Sequence, residues 1–522
     1  MKIQKIWFSI YAFVFAMYPS LFLYINNSDE LTFFPFVFYT VIALLLFASF
    51  LLGALYLLVR DYTISAILTS IMLILFFSHG NIIDLFIPQF TFDIGVERIF
   101  SWVVFIMISV IFIFFFFLFH KHPNAAVLFR KFFSIFALVL FVTLIYEIVP
   151  KLYIEYEAMA DIDQPVASTA IRDDLPDIYY IILDGHARED VLSELYDVNS
   201  SLFFEGLQNM GFYVASQSRS NYTQTFLSQA ATLNMSYLDY IADETWERES
   251  DDLTAPKLMI RDSSVIKEIK QYGYKYVLFS SLWSGLAQKN ALVDQTVSPL
   301  ISANEFVYVL LERTPLSLFM QNSFTFNFNR NFFKQTLVTL AKVPEDPEST
   351  FTYVHFVKPH PPFVFDADGN VPDIKVYIGL DAEWKNFGKN TAKEYKRLYR
   401  DQVQYVDKVV LETISLILEK SSITPIIILQ SDHGPAGQFV WGKTSDNRGL
   451  QERFSILNAY YFPDGDYGEL YESITPVNSF RVLLNKYFNG SYELLADKNY
   501  FSSYLTPYKF KDVTEQLDLY EQ

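Results

Sequence analysis

The chain has no cysteine among its 522 residues. That absence excludes disulfides, thiolate metal sites and cysteine nucleophiles together, so the fold must rest on its packed core. It leaves the compartment open, because disulfides are permitted outside a cell and not required there. Histidine is scarce, with seven in the whole chain, and each one beside another polar residue therefore carries weight. Lys and Arg number 40 against 58 Asp and Glu, for a net charge of −18, and no block of basic residues occurs. Without a basic block to neutralise a phosphate backbone, no nucleic-acid partner is expected. Charge of either sign is sparse in the first 150 residues, which are mostly Phe, Leu, Ile and Val, and the acidity belongs to the remainder.

Five apolar stretches approach or exceed the roughly 20 residues that a bilayer core requires: about 6–25, 32–59, 62–82, 100–119 and 131–149. The first follows Lys2 and Lys5 as a signal peptide would, but no small-residue cleavage site follows it and four further spans do, so it reads as a retained helix. Basic residues favour cytoplasmic loops. With the N-terminus inside, the inner segments hold Lys2, Lys5, Arg60, Lys121, Arg130 and Lys131, and the outer ones only Arg98 and Lys151. An odd number of spans then places everything after residue 150 outside. The expected organisation is a transmembrane helical domain at 1–150, a juxtamembrane connector at 151–176 and an extracytoplasmic domain at 177–522. The protein is expected in the plasma or inner membrane as a multi-pass chain, with the lipid bilayer as its first partner. One helix would suffice for anchoring, so the bundle is either a plain anchor or also presents a lipid substrate.

Beyond the connector, strand-like apolar runs alternate with helical patterns. Ile178–Leu183, Tyr274–Ser280, Phe351–Val357, Pro425–Leu429 and Ile456–Phe462 read as strands, several apolar throughout as strands covered on both faces should be. Ser264–Gln271 and the long amphipathic Lys393–Lys420 read as helices. The alternation indicates an α/β domain around a mostly parallel sheet.

Ligands of open α/β sheets bind beyond the carboxyl ends of the strands, and three such ends carry polar residues. DIYYIILDGHARED places Asp184 before a turn at Gly185; FTYVHFVKPHPPF delivers His360 ahead of Pro361 and Pro362; TPIIILQSDHGPAG sets Asp432 and His433 before Gly434. Singly, these read as a turn, a loop packing residue and a chance pair. Together, two carboxylates and an imidazole suit one divalent ion, Zn²⁺ or Mn²⁺. SNYTQTFLSQAATLNMSYLDY offers hydroxyls for a nucleophile. Thr225 opens a helical pattern, where a helix N-terminus favours an alkoxide or phosphate, although a plain N-cap would look the same. Spacing alone does not prefer Thr225 over Thr223 or Ser228.

The sequence resembles the alkaline phosphatase superfamily, in its sulfatase-like membrane branch that includes lipoteichoic acid synthases and lipid A phosphoethanolamine transferases. The matching pieces are ILDG at 182–185, NYTQT with LSQAATLNM at 221–235, KPHPPF at 358–363 and SDHG at 431–434, over roughly residues 177–510. The resemblance implies a sulfatase-like α/β catalytic domain with Asp184, Thr225, Asp432 and His433 holding the metal. It also implies Thr225 as nucleophile, His360 as proton donor or phosphate contact, and Lys358, Arg188 and Asn221 as anion contacts. The two named groups carry Glu where Asp184 stands, whereas Asp is common there in the wider superfamily. The formylglycine motif of ordinary sulfatases is missing, since the nucleophile segment reads TFLSQ. Two-metal relatives use a further histidine downstream of the Asp-His pair, and His433 is the last histidine here, so one metal is expected. The implied function is transfer of a phospho-alcohol headgroup, phosphoglycerol or phosphoethanolamine, from a membrane phospholipid donor to a cell-surface glycan or glycolipid acceptor through a phosphothreonine. The alternatives are a hydrolase of phosphate or sulfate esters and a non-catalytic scaffold in envelope polysaccharide assembly.

Overall fold

The computed structural model describes residues 10–26, 33, 37–86, 91–162, 175–244, 252–281, 286, 290–298, 305–374, 376–378, 389–439 and 446–521. The chain divides into two compact units, one of residues 1–164 with 300–325, the other of residues 165–299 with 326–522.

The first unit contains, among the described residues, five apolar helices: α1 (Ile10–Asn26), α2 (Phe38–Val59), α3 (Tyr62–Asp84), α4 (Ile94–Lys121) and α5 (Pro123–Ile162). Four of them are long and apolar enough to cross a membrane, and α1 is a shorter apolar helix of 17 described residues. Helix α3 is the buried member, whereas α2, α4 and α5 expose most of their apolar side chains. Outward-facing Leu46, Phe50, Ile106, Phe117, Leu128 and Leu138 make sense only against an apolar surround such as lipid. Asp61 caps α3 by accepting the Ile64 N–H at 3.0 Å. The helix Glu305–Glu312 belongs to this unit and sends Phe306 and Leu310 into its apolar clusters. Helix α5 runs into the expected connector as far as Ile162, and residues 163–174 of that connector lie outside the described residues.

The second unit is built on a sheet of seven strands among the described residues. They are β1 (Ile178–Leu183), β2 (Tyr213–Val214), β3 (Lys275–Phe279), β4 (Gln295–Val297), β5 (Thr350–Phe356), β6 (Ile426–Gln430) and β7 (Asn458–Tyr461), in the spatial order β2-β7-β6-β1-β5-β3-β4. The run β6-β1-β5-β3-β4 is parallel, and β7 pairs antiparallel with both β6 and β2. Strands β1, β5 and β6 are buried along their whole length, which is why their sequences are nearly continuous apolar runs.

Alternation across the pleat divides these strands between two cores. Tyr179, Ile181, Leu183, Val354, Phe356, Ile427 and Leu429 face one core, and Ile178, Tyr180, Ile182, Phe351, Tyr353, Ile426 and Ile428 face the other. The first core is closed by α9 (Lys389–Lys420), whose Tyr395, Tyr399, Val403, Val406, Val410, Ile414 and Ile417 recur at the three-to-four spacing of one helical stripe. Each such aliphatic side chain contributes roughly 1.5–3 kcal/mol on burial. Between β1 and β2 lies α6 (Glu189–Tyr196), which joins the same core. The second core is closed by α7 (Thr225–Asn234), α8 (Ser264–Gln271) and α11 (Pro476–Tyr487). A short helix α10 (Asn447–Phe454) precedes β7, and a hairpin of β8 (Tyr500–Ser503) and β9 (Thr506–Asp512) follows α11. The fold is thus helices on both faces of a mostly parallel sheet, the class the sequence implied.

Candidate active site

The carboxyl ends of β1, β5 and β6 lie side by side because these strands pair in register, Ile182 opposite His355 on β5 and Gln430 on β6. Asp184 and Asp432 each stand two residues past that row, so both emerge on one side of the sheet at one level. Gly185 turns the chain after β1 at φ +74°, the left-handed region glycine tolerates, and its N–H donates to Asp432 Oδ1 at 3.3 Å. The His360 N–H donates to the Asp184 carbonyl at 2.9 Å, tying the KPHPPF loop to the β1 end.

Behind the Asp-His pair, the chain closes tightly. The Gly434 N–H donates to the Arg453 carbonyl at 2.7 Å, and a Cβ on Gly434 would lie 2.0 Å from the Glu452 carbonyl oxygen, so only glycine fits. The fully buried Arg453 guanidinium donates to the Thr223 carbonyl through Nε and Nη2 and to the Gly434 carbonyl through Nη1, at 2.8–3.0 Å. One side chain of α10 therefore joins the segment before α7 to the segment after β6.

Asp184, Asp432 and His433 converge with ligand atoms within 4.8 Å of one another, all buried. His433 Nε2 lies 3.5 Å from Asp184 Oδ1 and 3.4 Å from Asp432 Oδ2. The Thr225 hydroxyl is 3.1 Å from the same nitrogen. His433 Nδ1 sits 3.0 Å from the Gly434 carbonyl; donating there, the neutral ring presents a bare Nε2 to the cluster, the tautomer a metal requires. Asp432 Oδ2 is buried without a hydrogen-bond partner, an expensive arrangement for a carboxylate unless a cation belongs there. Burial works to raise the Asp432 carboxyl, but the imidazoles of His433 and His355 and the Thr225 hydroxyl outweigh it and hold the group below the usual carboxylate range. The donor set of two carboxylates, one imidazole and one hydroxyl fits a single divalent ion.

The three hydroxyls that spacing left equal are separated by the structure. Thr223 is fully buried and donates to the Ser502 carbonyl at 3.0 Å. Ser228, 1 % exposed, donates to the Asp432 carbonyl at 2.7 Å and the Tyr222 carbonyl at 3.2 Å. Only Thr225, the first residue of α7 and 8 % exposed, turns its hydroxyl toward the cluster. Its place at the helix N-terminus adds the positive end of the helix dipole.

His360 stands close by, its ring centroid 6.1 Å from that of His433. Its Nδ1 lies 2.7 Å from the Pro361 carbonyl, and with Nδ1 donating there the proton of the neutral ring sits on Nδ1. The expected anion contacts fare differently. Lys358 is buried, with Nζ donating to the Pro362 carbonyl at 2.9 Å and the His360 carbonyl at 3.4 Å. Burial, against the pull of Asp184, pushes its ammonium down to about 7. Arg188 forks onto Asp190 with both bonds at 2.7 Å. Asn221 uses both ends of its amide on the fold, accepting from the Val477 N–H at 2.9 Å and donating to the Lys498 carbonyl at 2.9 Å. These bonds make Asn221 a tie between three segments.

One residue at the site was missed in the sequence. His355, buried on β5, points Nε2 at Asp184 Oδ2, 3.8 Å away, and at Asp432 Oδ2, 3.9 Å away. The available signal was a histidine inside an otherwise apolar strand, FTYVHFV, where an ionisable side chain needs a reason to be buried.

The model of the family described as Sulfatase matches residues 176–481. No curated protein matches the chain. Among solved structures, it is similar to the C-terminal periplasmic domain of EcEptC from Escherichia coli at 13 % identity and a TM-score of 0.44, covering 69 % of this chain and 98 % of that one. It is also similar to the phosphonate monoester hydrolase of Agrobacterium radiobacter at 12 % identity and a TM-score of 0.40, covering 63 % and 80 %. A third is the soluble domain of lipooligosaccharide phosphoethanolamine transferase A from Neisseria meningitidis, at 13 % identity and a TM-score of 0.39, covering 62 % and 90 %. With the family model matched over more than half of its length, and with the motifs at 182–185 and 431–434 inside the matched region, the chain is an enzyme of the sulfatase family, within the alkaline phosphatase superfamily.

Proposed function

We propose that the protein is a membrane-anchored phosphotransferase that moves a phospho-alcohol headgroup from a phospholipid to a hydroxyl of a cell-surface glycan or glycolipid. The observation that carries this reading is the Thr225 hydroxyl 3.1 Å from His433 Nε2, beside two buried carboxylates, in a chain without cysteine. Asp184, Asp432, His433 and Thr225 would hold one divalent ion, Zn²⁺ or Mn²⁺. Such an ion supplies Lewis acidity, lowering the pKa of a bound hydroxyl and stabilising charge on phosphoryl oxygens.

The chain's own residues divide the reaction into two displacements. Thr225 would enter as the alkoxide, its hydroxyl proton having passed to solvent; Oγ1 attacks the phosphodiester phosphorus, the bond from phosphorus to the diacylglycerol oxygen breaks, and a protonated His360 Nε2 delivers its proton to that oxygen. The phosphothreonine then takes the attack of an acceptor hydroxyl. His360, now neutral, removes the acceptor's proton, the bond from phosphorus to Thr225 Oγ1 breaks, and Thr225 leaves as the alkoxide with which it began. The Pro361 carbonyl at Nδ1 supports the charged ring in the first half and fixes the tautomer in the second. Lys358 holds the loop that carries His360 through the Pro362 carbonyl, and Arg188 is held by Asp190 and the Ser218 carbonyl.

A lipid donor agrees with the apolar helices of the first unit. The reading places five crossings in the membrane, α1 to α5, with residues from 177 onward outside the cytoplasm. The test is product analysis of the purified protein in lipid with a labelled phospholipid and a glycan acceptor. Release of diacylglycerol coupled to labelled acceptor supports transfer; release of free phospho-alcohol at the same rate with or without acceptor would make the enzyme a hydrolase.

A further inference from the structure

His355 has no part in the two displacements, yet it is the side chain on which both metal-site carboxylates rest. It lies opposite Ile182 in the pairing of β1 with β5, one pleat below Asp184 on the same side of the sheet. Its ring therefore rises from the floor of the site. The two oxygens of Asp184 are divided between two imidazoles, Oδ1 at 3.5 Å from His433 Nε2 and Oδ2 at 3.8 Å from His355 Nε2. Asp432 Oδ2 is shared, at 3.4 Å from His433 and 3.9 Å from His355.

The other ring nitrogen has a hydroxyl partner. His355 Nδ1 is 3.2 Å from the Ser281 hydroxyl, just past the end of β3. With that hydroxyl donating, Nδ1 is the acceptor and the proton of the neutral ring sits on Nε2, aimed between the carboxylates. His355 Nε2 is buried and has no hydrogen-bond partner, and its distances to the two oxygens exceed hydrogen-bond length. A buried N–H with two carboxylate oxygens just out of reach is placed to bond whichever oxygen turns toward it, and it leaves the opposite oxygen to the site. We infer that His355 is a positioning residue for the metal centre. Its Nε2–H, with Nδ1 held by Ser281, takes Asp184 Oδ2 and turns Asp184 Oδ1 toward the ion, beside Asp432 Oδ2, which the Gly185 and His433 N–H groups leave facing the site by holding Oδ1. This rests on the metal-dependent reading above.

Residues that orient ligands in this way typically change metal affinity by about 10- to 100-fold when removed. The experiment is titration of the metal-stripped full-length protein in detergent with Zn²⁺, and with Co²⁺ for its ligand-field spectrum, for wild type, His355→Ala, His355→Gln and Ser281→Ala. Folding is followed by thermal denaturation in chelator. His355→Ala is expected to weaken binding about 10- to 100-fold and alter the Co²⁺ spectrum. His355→Gln, whose amide can place an N–H near the same point, should recover most of the affinity. Ser281→Ala should shift binding in the same direction by less. Wild-type affinity in His355→Ala overturns the inference, as does a loss that Gln fails to recover, since a residue that only fills space would give that result. If His355→Ala does not fold, Ser281→Ala carries the test, and an unchanged affinity and Co²⁺ spectrum there overturn the inference. If wild-type protein itself binds neither ion, the metal reading fails, and that outcome is distinct from the failure of His355.

Discussion

Replacing each of three neighbouring hydroxyls by hydrogen should give opposite patterns of stability and activity. Thr223→Ala removes a buried bond to the Ser502 carbonyl, and Ser228→Ala removes bonds to the Asp432 and Tyr222 carbonyls. Leaving a buried carbonyl short of its donor costs about 1–3 kcal/mol, so both variants should unfold measurably earlier. Thr225→Ala loses one hydroxyl contact, worth about 0.5–1.5 kcal/mol, and regains about 0.5 kcal/mol because Ala favours a helix more than Thr does. Its net cost should be under about 1 kcal/mol. Activity should run the other way. No other described hydroxyl in this segment faces His433 Nε2, so Thr225→Ala should lose several orders of magnitude in turnover. Thr223→Ala and Ser228→Ala should keep turnover within about tenfold, roughly 1.4 kcal/mol in barrier. Denaturation midpoints and hydrolysis of a chromogenic phosphodiester, measured on the same preparations, would show both patterns. Near-normal turnover in Thr225→Ala, or its loss only in Ser228→Ala, would refute the assignment even with the metal site intact.

Metal content should be one divalent ion per chain by elemental analysis, lost with Asp432→Asn and restored to chelated wild type by Zn²⁺ or Mn²⁺ better than by Ca²⁺; two ions per chain would contradict this. Burial holds the folded pKa of Lys358 at about 7, below the roughly 10.4 of an unfolded lysine. Between those values the unfolded chain binds more protons, so the stability of wild type relative to Lys358→Met should rise from pH 7 to pH 10 and level off below 7. Chemical denaturation at stepped pH checks this, and a flat difference refutes it. Reporter fusions at His122 should behave as cytoplasmic and fusions after Lys151 as extracytoplasmic; the reverse would invert the topology.

What could be read from the sequence was whatever local pattern determines. Strands β1, β5 and β6 were visible as uniformly apolar runs because both faces of each are covered, and α9 was visible because its buried residues keep one helical stripe. The strand-end positions of Asp184, Asp432 and His433 followed from those runs. What depends on pairing was hidden. Nothing local shows that His355 stands opposite Ile182 and therefore beneath Asp184. Likewise Thr223, Thr225 and Ser228 became distinct only once the start of α7 and the positions of Ser502 and the Asp432 carbonyl were known. Asn221 was expected as an anion contact from the resemblance, but the two ends of its amide bond to segments more than 250 residues away in sequence. Residues 300–325 carry no charge pattern that separates them from the catalytic domain, and their grouping with the membrane helices arises from contacts such as those of Phe306 and Leu310.

The central claim, covalent transfer through Thr225, is tested most directly by mass spectrometry of the wild-type protein after incubation with phospholipid and without acceptor. The account predicts a phospho-alcohol adduct on the peptide containing Thr225, whose mass identifies the headgroup and which disappears when acceptor is added. An adduct mapped to Thr223 or Ser228, or phospholipid turnover with no adduct at any stage of the reaction, would contradict it.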